Sequence, residues 1–243
     1  MHFENLFVLG RPAAGKSEFI DFMKNCDPNK RLEKFHVAPF DRVDDYLFLR
    51  ELADNENIME KLGVPKVVTK LTSDGIVAMN ELFFLFVTEK MNLIFNQKYL
   101  PQPDLYKSKT ILIEFSRGIN RYGYRHSISG LDKGILSRGS IIYIKASYEE
   151  SMRRNEARYQ EKMKYSILAH KCPEEAMERF YKTDDWDELT GGKESGMLDI
   201  NGIEIPFVTM NNEPESKDDA VMEERYYNAL STCFELWQKK QRS

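Results

Sequence analysis

The sequence predicts an α/β fold in which a five-stranded parallel sheet is flanked by helices. Two observations carry this expectation. Short apolar runs alternate with helical patterns along the chain, and a glycine-rich loop joins the first run to an amphipathic helix. The apolar runs are residues 6–9, 35–38, 110–115, 140–145 and 205–210. Continuous runs of this kind mark strands covered on both faces. The second run competes with Val67 and Val68, because Pro39 follows it directly. Helical spacing occupies 43–61, 76–95, 148–169 and 218–239. In the last of these, Tyr226, Leu230, Cys233 and Trp237 recur every three or four residues, as a core-facing stripe does. Residues 101–103 and 191–196 read as loops.

Composition narrows the class. A chain of 243 residues with 42% hydrophobic and 12% aromatic content can bury a sizeable core as one large domain. That content rules out disorder. Three cysteines (Cys26, Cys172, Cys233) with no C-x-x-C spacing form neither a disulfide framework nor a zinc site. The net charge of −4 argues against a nucleic-acid partner. The start Met1-His2-Phe3-Glu4 lacks the basic region of a signal peptide, and the apolar stretch 82–87 is far too short to cross a membrane. The expectation is a soluble cytoplasmic protein.

The specific motif is Gly10-Arg11-Pro12-Ala13-Ala14-Gly15-Lys16-Ser17, which satisfies G-x-x-x-x-G-K-[ST]. An apolar run precedes it. Phe19, Ile20, Phe22 and Met23 follow on one helical side, with Glu18, Asp21 and Lys24 on the other. The residue types match phosphate chemistry. Gly10 and Gly15 permit turns that aim successive N–H groups inward, and the helix beginning near Lys16 adds its N-terminal dipole. Lys16 can reach the β- and γ-phosphates, while the Ser17 hydroxyl is a hard ligand for Mg²⁺. Gly10, Ala13, Ala14, Gly15, Lys16, Ser17 and Glu18 are the expected nucleotide-binding set.

On these residues the chain resembles phosphate-loop kinases of the nucleoside-monophosphate and deoxynucleoside kinase type. The resemblance implies a three-layer fold with a helical lid, spanning 1–243 as one domain. An acceptor-side helical region would lie at about 41–100 and a lid at about 150–200. It also implies transfer of the ATP γ-phosphoryl group to a small acceptor, nucleoside-like or phosphorylated, with Mg²⁺ as cofactor. Within Ile111-Leu112-Ile113-Glu114-Phe115-Ser116-Arg117, Glu114 takes the place of a metal or metal-water ligand and Arg117 that of an acceptor contact. The wider spacing of this pair departs from the common adjacent Asp-Arg, and a simple acid–cation pair is the other reading. Arg154 and Arg158 sit four residues apart like lid arginines that stabilise charge on the transferring group, or else pair with Glu150, Glu156 or Glu161. Asn211 or Asn212 would hold the adenine. Asp41 is the first choice for the acceptor's base, followed by Asp44, in a cluster with Asp45 that otherwise caps a helix.

Residues 117–158 carry nine Lys/Arg against four Asp/Glu, a local positive stretch in an acidic chain. Arg117, Arg121, Arg125 and His126 are its acceptor-side candidates, with Tyr122 and Tyr124 interleaved. His170 and Trp186 have no assigned role, and Asp184 and Asp185 suit either a second metal or sugar contact or an acidic surface loop. A GTPase is disfavoured because Thr69-Lys70-Leu71-Thr72 fails the guanine-reading pattern. Two classes remain: a kinase, and a non-catalytic ATP-binding module or ATPase that signals to a partner.

Overall fold

A computed structural model describes residues 1–164 and 171–242. It begins with β1 (Asn5–Leu9), the glycine loop, α1 (Lys16–Asn25), α2 (Pro28–Phe35), β2 (Phe40–Asp44) and α3 (Asp45–Lys61). A small hairpin follows, β3 (Thr69–Leu71) and β4 (Ile76–Ala78), and then α4 (Leu82–Ile94). The second half runs through β5 (Thr110–Phe115), α5 (Tyr124–Ser129), α6 (Lys133–Leu136), β6 (Gly139–Lys145), α7 (Tyr148–Met163), α8 (Glu174–Phe180) and α9 (Trp186–Thr190). It closes with β7 (Ser195–Ile200), β8 (Ile203–Asn211) and α10 (Asp219–Arg242).

The central sheet has six strands in the order β2-β5-β1-β6-β8-β7, parallel except for the antiparallel β7–β8 edge. The added strand lies partly where a glycine loop was expected. Asn201 and Gly202 at φ 56 and 77 make the tight turn of a β7–β8 hairpin. The expected strand at 35–38 is a second difference. Asp27 caps α2 by accepting from Asn29 N and Lys30 N, so Phe35 ends a helix, and the strand starts after Pro39. As an edge strand bonded only to β5, β2 can carry Asp41, Arg42 and Asp44, which hides it from an apolar-run search. The helical pattern at 76–95 likewise begins as β4. Buried Glu56 holds the hairpin on α3 by accepting from the N–H groups of Val67, Val68 and Thr69 and from the Thr69 hydroxyl. Residues 165–169 of the expected helix at 148–169, and His170, lie outside the described residues.

Strand alternation divides the core into two layers. Phe7 and Leu9 of β1 join Ile111, Ile113, Phe84, Tyr124 and Trp186 on one face of the sheet. Leu6 and Val8 join Leu112, Ile142, Ile144, Phe19, Tyr226 and Trp237 on the other. The α10 stripe Tyr226, Leu230, Cys233 and Trp237 is buried, as its spacing predicts. Among the described residues no helix is long and apolar enough to cross a membrane.

This order places the glycine loop. The chain leaves β1 toward the β2 edge, returns through β5, and then crosses to β6 on the opposite side of β1. At such a divergence the loops at the carboxyl ends of the strands part and leave a crevice. The loop after β1 stands there.

Candidate functional site

The loop is held in a conformation that its sequence permits at specific points. Gly10 has φ +146, and a Cβ there would stand 2.5 Å from the Ile144 carbonyl oxygen. Gly15 has φ +115, and its Cβ would meet Asn212 Nδ2 at 2.3 Å. Gly15 is also the N-cap of α1, and no side chain caps that helix. The first-turn N–H groups of α1 therefore lack the usual internal acceptor. Ala13 adopts φ 60, an uncommon conformation for a residue with a side chain.

Lys16 is 7% exposed. Its ammonium donates to Gly10 O at 3.0 Å, Arg11 O at 2.9 Å and Ser116 Oγ at 2.7 Å. Burial lowers its pKa, while the carboxylates Glu114, Asp45 and Asp44 pull it back up. Burial is the larger effect, so the net shift is downward, and three nearby acids oppose it.

The loop is braced from several elements. Gly10 N donates to the Tyr124 hydroxyl at 3.2 Å. Arg11 donates to Tyr181 O and Ala146 O, both at 3.0 Å, and pairs with Asp184 at 2.9 Å. Ala14 O accepts from Asn212 Nδ2 at 2.8 Å and from Arg154 at 3.3 Å. Arg154 is 4% exposed and also donates to Asn212 O at 2.7 Å and to Glu150 at 2.7 Å. These contacts explain residues that the sequence left unplaced. Asp184 anchors Arg11 and accepts from the Tyr143 hydroxyl at 2.9 Å. Asp185 accepts from Tyr124 N and Arg125 N at the start of α5. Trp186 stacks on Tyr143 at 4.6 Å and donates to Thr209.

Among the described residues, a smaller and a larger cleft open on the loop. The smaller, of about 410 Å³, is lined by Ala13, Lys16, Ser17, Asp44, Asp45, Glu114, Ser116 and Arg158, with Leu47, Leu49, Ile76, Phe83 and Tyr181 as an apolar wall. The larger, of about 980 Å³, is lined by Ala13, Gly15, Glu18, Phe22, Tyr226, Asn212, Arg153, Arg154 and Arg158. Ala13 and Arg158 belong to both. Arg158 lies 3.6 Å from Glu18 and is more exposed than Arg154 on the same helix.

The acids of the smaller cleft come from two adjacent strand ends. Asp44 of β2 stands in register with Glu114 of β5. Both pair with Arg42, at 2.7 and 2.6 Å. Asp44 also caps α3 through Tyr46 N at 2.9 Å. Burial first, then the charges of Asp45 and Glu114, push its pKa up to about 6 against the opposing Arg42. Asp45 accepts from Arg117 at 2.7 Å and from Ser116 N at 3.3 Å. Arg117 is fully buried, its guanidinium 4.6 Å over Phe115 and 5.3 Å over Phe84.

Several expected residues lie elsewhere. Asp41 does not line either cleft; it accepts from Lys98 at 3.0 Å, Lys109 at 2.9 Å and Tyr99 at 3.2 Å. Burial works against ionisation there, but the Lys109 and Lys98 hydrogen bonds prevail and lower its pKa. The cause is the strand's late start: the acid at the carboxyl end of β2 is Asp44, three residues on. Asn211 is exposed and closes a local turn with Glu213, whereas Asn212 faces the loop. Nor does the basic stretch form one positive field. Arg121 pairs with Glu81, Arg138 with Glu4 and Lys145 with Asp187, and only Arg153, Arg154 and Arg158 of that stretch line these clefts. Arg42 was missed, although its place between Asp41 and Asp44 was the available signal. Ser116, which accepts from Lys16, carries no sequence signal of its own.

Replacing Arg154 with alanine leaves Ala14 O and Asn212 O without this donor, a loss of about 2–3 kcal/mol. Thermal melting should fall by roughly 5–10 °C, with nucleotide affinity and turnover declining together. A drop in turnover alone, at unchanged melting temperature, would assign Arg154 to the reacting group instead.

No protein-family model and no curated protein matches the chain. Among solved structures it is similar to APE1195, with TM-score 0.41 and 13% identity over 95% of this chain and 96% of that one. It is also similar to an unliganded sugar kinase from Janibacter sp., with TM-score 0.41 and 11% identity over 96% of this chain and 95% of that one. Likeness this distant carries nothing about activity, so function rests on the loop and its clefts.

Proposed function

We propose that the chain is an ATP-dependent phosphotransferase that moves the γ-phosphoryl group of ATP to a hydroxyl of a small acceptor, a nucleoside or nucleotide. One observation carries this reading. An uncapped helix start, a buried ammonium and the Ser17 hydroxyl meet on a glycine loop between two clefts, one of them lined by carboxylates. Such a loop suits phosphates, and two clefts suit two reactants.

In this reading the N–H groups of the 10–18 segment hold the phosphate tail and Lys16 pairs with its terminal oxygens. The larger cleft takes the nucleoside part of ATP, beside Phe22, Tyr226 and Asn212. The smaller cleft takes the acceptor. Among the described residues no three His, Cys, Asp or Glu side chains converge as a self-sufficient metal site. The hard oxygens of Ser17 and Glu114, both lining the smaller cleft, fit a Mg²⁺ ion that arrives with the nucleotide and offsets charge on its phosphates. Asp44 is the group whose pKa suits proton removal near neutrality. It takes the hydroxyl proton as the acceptor oxygen bonds to the γ-phosphorus, and the bond to the β-phosphate oxygen breaks with its electron pair left on ADP. Arg158, shared by the two clefts, and Lys16 offset charge on the phosphoryl oxygens in transit. The chain then forms one kinase domain, with residues 41–100 on the acceptor side and α7 on the lid side.

The test is ADP release from ATP and Mg²⁺ with and without a panel of nucleosides and monophosphates. Acceptor-dependent turnover is expected. ATP binding without turnover for any acceptor would replace this reading with a binding module.

A further inference from the structure

We propose that the acceptor is an uncharged polyhydroxyl compound with an apolar or aromatic part, and not one that already carries a phosphate. This rests on the phosphotransferase reading and narrows its substrate. The argument concerns which cations in the smaller cleft are left to meet an anion.

Among the described residues, four basic side chains line that cleft: Lys16, Arg42, Arg158 and Lys171. Lys16 belongs to the phosphate loop, and its ammonium already has three acceptors there. Arg42 lies between two carboxylates, at 2.6 Å from Glu114 and 2.7 Å from Asp44. Lys171 is paired with Glu156 at 2.5 Å and Asp74 at 3.6 Å, and its side chain is 14% exposed. Arg158 stands at the mouth shared with the larger cleft, beside Glu18. Arg117, which the family resemblance implies as a contact to the acceptor or its phosphate, does not line the cleft; it packs against two phenylalanine rings and is committed to Asp45.

The anionic side is the opposite. Asp44 and Glu114 share one guanidinium, so the end of the cleft beside Lys16 carries more carboxylate than cation from these strands. With Lys16 and Arg158 taken up by the transferring phosphoryl group, a monophosphate placed there meets like charge and no uncommitted cation among the described residues, which is costly. Carboxylates do suit hydroxyl groups, since ionised acids only accept hydrogen bonds and sugar hydroxyls donate them. The same cleft is also lined by Leu47, Leu49, Ile76, Phe83 and Tyr181, apolar surface that suits the flat or apolar part of a nucleoside.

The experiment is isothermal titration of the full chain, loaded with Mg²⁺ and a non-hydrolysable ATP analogue. Matched pairs are used: nucleosides against their 5′-monophosphates, and pentoses and hexoses against their phosphates. At least one unphosphorylated compound should bind about a hundredfold or more tighter than its phosphate, and the two arms identify which polyol it is. Leu47→Arg, which adds a cation to the exposed part of the wall, should narrow that preference by about tenfold. Equal or tighter binding of the phosphorylated members, or no binding by any unphosphorylated compound, overturns the proposal. The two readings fail separately. A monophosphate that is both bound and phosphorylated removes this inference and leaves the phosphotransferase. A nucleoside that binds selectively without ATP turnover does the reverse.

Discussion

Lys16→Ala is expected to lower phosphoryl transfer by on the order of a thousandfold while the melting temperature stays within a few degrees of the parent. The reasoning separates activity from stability. The Lys16 ammonium is desolvated and spends its hydrogen bonds on two loop carbonyls and Ser116, so its net contribution to folding is small. A phosphate in the loop changes that balance, because a charge-assisted contact to a dianionic group in a dry site far exceeds a contact to a carbonyl. Lys16→Met, which keeps the stem, should behave like the alanine variant in turnover. Either variant retaining more than about a tenth of the parent rate would place the transferring phosphate elsewhere.

Asp44→Asn should separate activity from stability in the other direction. The folded protein raises this carboxyl to about 6 from an ordinary value of 3.8. A carboxyl raised on folding favours the folded state only while protonated. Its contribution is complete below pH 4 and is lost as pH climbs through about 6, leaving a cost of about 3 kcal/mol at pH 8. Asparagine keeps an oxygen to cap Tyr46 N and removes the charge. The variant should therefore melt several degrees higher than the parent at pH 8, and the gap should close near pH 4. Turnover should move oppositely. In the parent, kcat/KM should rise with pH around a midpoint of about 6, the acid having to ionise before it can accept a proton. The asparagine variant should lose that limb and run about a hundredfold slower. Loose phosphoryl transfer draws less on a base than on positioning, so the pH profile decides the matter more sharply than the rate. An unchanged limb in the variant would take the titrating role away from Asp44.

The two substitutions bear on opposite ends of one electrostatic arrangement. Burial lowers the Lys16 pKa, and Glu114, Asp45 and Asp44 act in the opposite sense. Asp44 has a raised pKa first because it is buried, and then because Asp45 and Glu114 add to that effect against Arg42. Neither group would titrate this way alone, so the double variant should depart from the sum of the singles.

The tight loop at residues 10–17 and the helix that follows it could be read directly from the chain, because turns at Gly10 and Gly15 depend on residues only a few bonds away. The strands β1, β5, β6 and β8 were legible for a related reason, since burial on both faces writes itself into a continuous apolar run. The edge strand β2 left no such record, and with it went the register that puts Asp44, not Asp41, beside Glu114. Arg117, Arg154 and Arg158 looked alike as letters. Folding sealed the first behind the cleft with Asp45, set the second under the loop as a brace, and left the third at the mouth of both clefts. That assignment depends on which partners arrive from positions up to 140 residues away, and on how much water remains around them. Local turns and amides are dictated by neighbours in the chain; the charge state and duty of a side chain are dictated by neighbours in space.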